Sequence, residues 1–356
     1  MRLKKFKSLS CLCIFLGLLV ILTGCPKTAK REDIIKPKGM VYFTFFDTVS
    51  YVYSYAGDSQ KTFEERCGSV SAILDEYHSL FNIYYDFEGV NNLKTVNDNA
   101  GKAPVKVDRK LIDFLLYAKQ LYDVTNGEMN VMMGSVLKLW HDCRDAASTS
   151  PSNVRIPTAD ELNEAAKHTD ISLLEIDEEN LTVFISDPNA RIDVGALGKG
   201  YATERAAEHL RSIGADSYVL NIGGNIRIIG HKQDGGSWGT GIKDPTDTSR
   251  YAIVIDIADT SCVTSGDYER FFSVNGKRYH HVIDKDTLMP SEHFSSVTII
   301  TPDSGLADAL STALFSMSYE DGLALISKMS ISVEVLWISR DGTQHYTPGF
   351  ENLIKE

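Results

Sequence analysis

Apolar residues recur at spacings of three and four from Phe63 through Cys67, Val70, Leu74 and Tyr77 to Phe81, which predicts an amphipathic helix over 62–81. A second helix is predicted behind the cap Asp108, with the stripe Leu111, Leu115, Ala118 and Tyr122, and Asn126-Gly127 stops it. Thr158-Ala159-Asp160-Glu161 has the form of a capping box and predicts a third. Ala202, Ala206, Leu210 and Ile213 place a fourth over 201–213, ended by Gly214, and a fifth covers about 304–317. Aromatic and β-branched stretches predict strands at 41–56, 181–186, 191–194, 217–222, 226–230, 251–257, 278–284, 295–301 and 334–339. Strands and helices without regular alternation point to an α+β fold rather than a doubly wound sheet.

The N-terminus follows a different pattern. Arg2, Lys4, Lys5 and Lys7 precede an apolar run from Cys11 to Leu22, too short to cross a bilayer and laid out as a secretory signal. Leu22-Thr23-Gly24-Cys25 matches a bacterial lipobox, so residues 1–24 are expected to be a lipoprotein signal peptide and Cys25 the acylated (palmitate-bearing) first mature residue. Residues 25–40 then form a polar, proline-bearing tether, and 41–350 the globular domain. The expected location is outside the cytoplasm, anchored by lipid to the bacterial membrane.

With 36 basic and 48 acidic residues the chain carries a net charge of −12, which argues against nucleic acid as a partner. An anionic ligand therefore needs a metal or local donors. Of six cysteines, Cys67, Cys143 and Cys262 remain after the leader and Cys25 are set aside, without C-x-x-C spacing, so neither a disulfide framework nor a zinc site is expected.

Three stretches carry candidate chemistry. Gly195-Ala196-Leu197-Gly198-Lys199-Gly200 has small residues, a cation and a following helix, as a phosphate loop does. It fits neither the P-loop nor the dinucleotide fingerprint, and alone it reads better as a tight turn. Asp308 and Thr312 lie four apart on one face of a predicted helix, where a carboxylate and a hydroxyl suit a hard cation such as Mg2+. His280 and His281 are adjacent in a predicted strand, so at most one faces a given site.

Taken in order along the chain, these motifs resemble the ApbE family of flavin transferases, lipoproteins that move FMN from FAD onto a threonine of another protein. The resemblance spans about 41–340 and rests on Phe46-Asp47-Thr48, FNIYYDFEGVNNLKTVN (81–97), NGEMNV (126–131), Leu139-Trp140, DVGALGKGYA (193–202), VLNIGGNI (219–226), WGTGIKDP (238–245), TSGDYER (264–270), HHVIDKDT (280–287) and ADALSTALF (307–315). It implies two intimately packed α/β lobes of mixed, largely antiparallel sheet flanked by helices, with FAD in the cleft between them. It also implies that Asp193 and Lys199 contact the flavin nucleotide, while Phe46, Tyr84, Glu128, Met129 and Asn130 line the flavin. The Ala196 carbonyl, Asp308 and Thr312, with Ser311 beside them, would form the metal shell. His281 would be the site histidine and, with a pKa near working pH, the base; Asp267 or Asp284 are alternatives for that role. Two motifs depart from the family's: the usual Asp-Pro-x-Thr-Gly turn is Asp284-Lys285-Asp286-Thr287-Leu288, and the usual Met-Gly-Thr is Phe46-Asp47-Thr48.

The expected reaction is Mg2+-dependent transfer of FMN from FAD to a threonine hydroxyl, releasing AMP. The expected acceptor is a flavoprotein bearing an Asp-Gly/Ser-Ala/Ser-Thr type segment, with a subunit of a membrane redox complex as a candidate. Two other readings compete: an FAD pyrophosphatase giving FMN and AMP, and a flavin-binding lipoprotein without chemistry.

Overall fold

The computed structural model describes residues 37–149 and 154–355. The leader, the lipobox with Cys25 and most of the tether lie outside the described residues. Lys36–Glu356 forms one compact unit, and its first strand begins at Lys38, inside the stretch expected to be tether.

The chain opens with the hairpin β1 (Lys38–Tyr42) and β2 (Ser50–Ser54). The segment 41–56 is therefore not one strand. Buried Phe45 anchors a reversal in which Thr48 N–H donates to its carbonyl, and Phe46 and Asp47 take left-handed φ values of 51° and 53°. Next come α1 (Gln60–Phe81), capped by Ser59, and α2 (Leu93–Asp98) with its own capping box at Asn92. The short β3 (Val105–Lys106) precedes α3 (Arg109–Val124), capped by Asp108 as the sequence predicts. α4 (Gly134–Thr149) follows, then α5 (Ala159–Ala166) with the expected Thr158/Glu161 box.

β4 (Leu174–Asp177) and β5 (Thr182–Ile185) join β3 in a small sheet. Residues 191–194, expected as strand, make only a single bridge, Arg191 to Met133; the Asp193 N–H donates to the Val131 carbonyl at 2.8 Å. α6 (Gly198–Ser212) starts three residues earlier than its apolar stripe suggested, so Lys199 and Gly200 lie in its first turn. β6 (Ser217–Ile222), β7 (Asn225–Gly230), the hairpin β8 (Trp238–Asp244) and β9 (Asp247–Ile257), and β10 (Ser261–Gly266) come next. The ribbon β11 (Phe271–Val274) and β12 (Lys277–His280) ends at His280, short of the predicted 284. β13 (Phe294–Thr301), α7 (Ser304–Phe315), α8 (Tyr319–Ile326), β14 (Glu334–Ser339), β15 (Gln344–Tyr346) and α9 (Pro348–Glu351) complete the unit.

The main sheet runs β1-β2-β6-β7-β10-β13-β14-β15, every neighbour antiparallel. This is the large antiparallel sheet flanked by helices that the α+β reading anticipates. Period-two alternation divides its faces. Leu220 and Ile222 pack with α1 and α6, and Val297, Ile299, Val335 and Trp337 pack with α7 and α8. Ile228, Ile300, Leu336 and Ile338 face the other way, under the β8–β9 hairpin and α9.

α6 and α7 approach closely because both present small residues. A methyl group on Gly200 would overlap the Ser304 carbonyl and the Asp308 Cβ. Beneath them Arg227 on β7 bonds Glu204 at 2.9 Å, and the Glu204 carboxylate accepts the Ser304 N–H at 2.7 Å, which ties sheet and both helices together. Cys67, Cys143 and Cys262 are buried and free.

Candidate active site

The geometry of the site begins with the turn before α6. Asp193 Oδ1 accepts the Gly195 N–H at 2.9 Å, and the Leu197 and Gly198 amides both reach the Val194 carbonyl. The chain thus turns tightly into the helix, and Ala196 sits just outside the helical hydrogen-bond ladder. The Gly200 N–H is one of the first-turn donors that a helix leaves unpaired. Asp308 Oδ2, from α7, accepts it at 2.8 Å and stands 3.5 Å from Lys199 Nζ. The loop and the distant Asp308 are two halves of one site.

Asp308 is buried, and desolvation raises its pKa against the lowering pull of Lys199 and the Gly200 amide. Thr312, one turn further along α7, lines the same cleft as Ala196, Lys199 and Asp308. Asn225, at the start of β7, adds a buried Oδ1 with no hydrogen-bond partner among the described residues, also on the cleft. Carboxylate, hydroxyl, carbonyl and amide oxygens make a donor set that fits a hard cation such as Mg2+. Among the described residues no group of three or more His, Cys, Asp or Glu side chains is placed to hold a metal ion, so a cation here would rest on a single carboxylate and neutral oxygens.

Ser311 does not belong to that oxygen set. It is buried, donates to the Asp308 carbonyl at 2.8 Å and bonds Ser265 Oγ at 2.8 Å, and does not line the cleft. One residue along a helix turns the side chain by about 100°, so Ser311 braces α7 against β10 instead.

The opposite wall brings together Phe46, Tyr84, Glu128, Met129 and Asn130, all on the cleft. The Phe46 amide donates to His78 Nδ1 at 3.1 Å, which holds the left-handed loop open toward the cleft. Asn130 donates one amide N–H to the Thr169 carbonyl and accepts the Met132 N–H on its side-chain oxygen, so the wall around it holds the side chain in place. Glu128 pairs with Lys285 at 3.4 Å, yet burial raises its pKa.

His141 on α4 was missed by the sequence reading. Its Nδ1 stands 3.1 Å from the Tyr84 hydroxyl and 3.8 Å from Asp193 Oδ2, linking the aromatic wall to the loop. Burial above all lowers its pKa, and burial pushes the Tyr84 phenol up to about 12. The stripe Val136, Trp140, Cys143 was the available signal for α4, and His141 lies on its cleft side.

The two neighbouring histidines separate cleanly. His280 Nε2 donates to the Ser291 carbonyl at 2.8 Å while its Nδ1 accepts the Val282 N–H, so both nitrogens are used structurally. His281 lines the cleft, and its Nδ1 lies 3.2 Å from the Arg270 carbonyl. A carbonyl only accepts, so Nδ1 carries the proton and Nε2 keeps a lone pair. Burial first, then the Arg270 charge, pushes the His281 pKa down to about 3, which corrects the expectation of a value near working pH. Neither alternative base lines the cleft. Asp284 Oδ1 caps the Asp286 and Thr287 amides, in the turn where Leu288 takes the left-handed φ of 59° at the family's glycine position.

The cleft as a whole encloses about 1230 Å³. The chain as a whole is similar to known proteins. The ApbE family model matches residues 47–337. An FAD:protein FMN transferase of Treponema pallidum is 33% identical over 278 residues, covering 74% of this chain and 75% of the relative. One from Haemophilus influenzae is 29% identical and covers 91% of each chain. Among solved structures, the ApbE protein of Thermotoga maritima superposes with a TM-score of 0.78 at 29% identity, over 90% of this chain and all of that one. The flavin transferase ApbE of Vibrio cholerae gives 0.72 at 26% identity, over 89% of this chain and 100% of its own.

Proposed function

The chain belongs to the ApbE family and is an enzyme that moves FMN from FAD to an acceptor protein; we propose that the receiving group is a threonine hydroxyl and that Mg2+ serves the step. The observation that carries this reading is the meeting of Asp308, Thr312, Lys199 and the Ala196 turn in one cleft with His281.

In the reaction, the hydroxyl oxygen bonds to the FMN-side phosphorus of FAD, the pyrophosphate P–O bond breaks, AMP leaves and the hydroxyl proton is released. Such transfers depend on positioning and charge stabilisation more than on covalent help from the protein. Asp308, the Thr312 hydroxyl and the Ala196 carbonyl would hold Mg2+, which supplies neutralisation of pyrophosphate charge. Lys199 adds a fixed positive charge beside it, and Asp193, Tyr84, Met129 and Phe46 would hold the flavin half of the substrate. Chelation should stop transfer and added Mg2+ should restore it. Full transfer after exhaustive chelation would sink the metal part of the reading.

His281, held neutral with Nε2 free, would orient the incoming hydroxyl and receive its proton late. A weak base suffices where the transition state is loose. His281→Gln should lower kcat by about 10². Because His281 stays neutral well below the usual histidine value of 6.5, the wild-type rate should show no histidine-like midpoint near 6.5 between pH 8 and 5. A midpoint there that vanishes in His281→Gln would contradict this assignment.

The leader pattern supports a location outside the cytoplasm, with lipid on Cys25. Cys25→Ser should then leave the membrane fraction; a variant that sediments with membranes as wild type does would remove the anchor from the account.

A further inference from the structure

The cleft is larger than the roughly 300–1,000 Å³ that encloses one small ligand. Part of it extends away from Asp308 over the outer face of β2 and β6, beneath the β8–β9 hairpin. On β2, Val52 and Ser54 are buried while Tyr51 and Tyr53 point outward, their rings parallel within 5° and 5.9 Å apart. Tyr53 lies over Gly39, where an added methyl group would sit 3.2 Å from the ring. Across the trough, the Tyr251 ring lies flat against Gly241, and Trp238 meets Tyr55 edge-on at 4.8 Å. Trp238 is only 7% exposed, lines this cleft, and its indole N–H has no hydrogen-bond partner among the described residues. Thr48, Asn221 and Asn225 connect the trough without interruption to Lys199 and Asp308.

We propose that this aromatic trough, lined by Tyr51, Tyr53, Tyr55, Trp238 and Tyr251, receives an extended segment of the acceptor polypeptide and leads its hydroxyl to the phosphorus. The assignment rests on the transferase reading above. A polypeptide fits better than a second part of the nucleotide for two reasons. Tyr53 and Tyr251 stay 39% and 67% exposed, which suits a partner that enters from the surface. Tyrosine and tryptophan are also the side chains that most often anchor protein partners.

The test uses the full chain with FAD, Mg2+ and a carrier protein displaying an Asp-Gly-Ala-Thr loop. Tyr53→Ala/Tyr251→Ala removes two exposed rings, so the fold should survive. Its KM for the carrier should rise about tenfold or more, while its Kd for FAD, read by flavin fluorescence, stays within about twofold of wild type. Trp238→Phe, which replaces the indole with a smaller ring and removes its N–H, should move the carrier KM in the same direction. A raised Kd for FAD with an unchanged carrier KM would give the trough to the nucleotide and overturn the proposal, as would two unchanged constants. Wild-type chain that binds FAD but never labels the carrier would overturn the transferase reading itself, and the trough with it.

Discussion

Asp308→Ala should lower kcat/KM for FMN transfer by about 10³ or more, with the fold retained. The carboxylate is the one charged oxygen among the donors that would hold Mg2+, and it also fixes the Gly200 amide and attracts Lys199. Its loss removes the metal's anchor and leaves Lys199 without its partner. Asp308→Asn separates these effects, because its side-chain oxygen can still accept the Gly200 N–H. Burial raises the Asp308 pKa above its unfolded value. The protonated group therefore suits the fold, and that contribution is present below the unfolded pKa and lost as pH rises through the folded one. At pH 7 without metal, ionised Asp308 costs stability. Asp308→Asn should consequently melt higher than wild type in chelator at pH 7, and the gain should fade below about pH 4. A variant that is inactive yet more stable is the signature of a group placed for function. Near-wild-type transfer by Asp308→Ala would remove the metal site from the mechanism.

The second large effect is expected at Gly200, where space rather than charge decides. The added methyl group of Gly200→Ala would overlap the Ser304 carbonyl and the Asp308 Cβ. A backbone carbonyl at a helix start has little room to yield, so α6 and α7 must separate. The overpacking costs about 3 kcal/mol, and better helix propensity returns about 1 kcal/mol, leaving a protein that melts several degrees lower. Transfer should fall further than stability, since the shift parts Asp308 from Lys199 and from the Gly200 amide. Gly198→Ala is the natural comparison: there the nearest contact is the edge of the Phe81 ring at 3.1 Å, a side chain that can move. If thermal melts showed Gly200→Ala to be no worse than Gly198→Ala, the close packing would not be what positions Asp308.

What the sequence revealed was whatever depends on local spacing. α1 follows from apolar periodicity, α3 from periodicity and the cap Asp108, and α5 from the capping box at Thr158, while the Ser59 cap that starts α1 two residues early was not read. β6 and β14 agree with their predicted bounds: buried and less buried residues alternate along most of β6, and the four central residues of β14 form one continuous buried apolar run. Asp308 and Thr312 were readable as one helix face. Ser311 was misplaced because adjacency in sequence is not adjacency on a helix. The reversal between β1 and β2 stayed hidden because aromatic residues fill the loop, and two of its positions adopt a backbone conformation that Phe46 and Asp47 do not advertise. The meeting of the Lys199–Gly200 turn with Asp308 crosses more than a hundred residues and needs the packing of α6 on α7. The basicity of His281 depends on burial and on Arg270, which no motif encodes.

The central claim is that this cleft passes FMN to a protein. The most direct test incubates the chain with FAD, Mg2+ and the Asp-Gly-Ala-Thr carrier, then weighs the carrier by mass spectrometry while following free FMN. The account predicts a carrier heavier by one FMN, with AMP released in equal amount and nothing gained when the carrier threonine is replaced by valine. Free FMN and AMP with an unmodified carrier would make the chain a pyrophosphatase and contradict it.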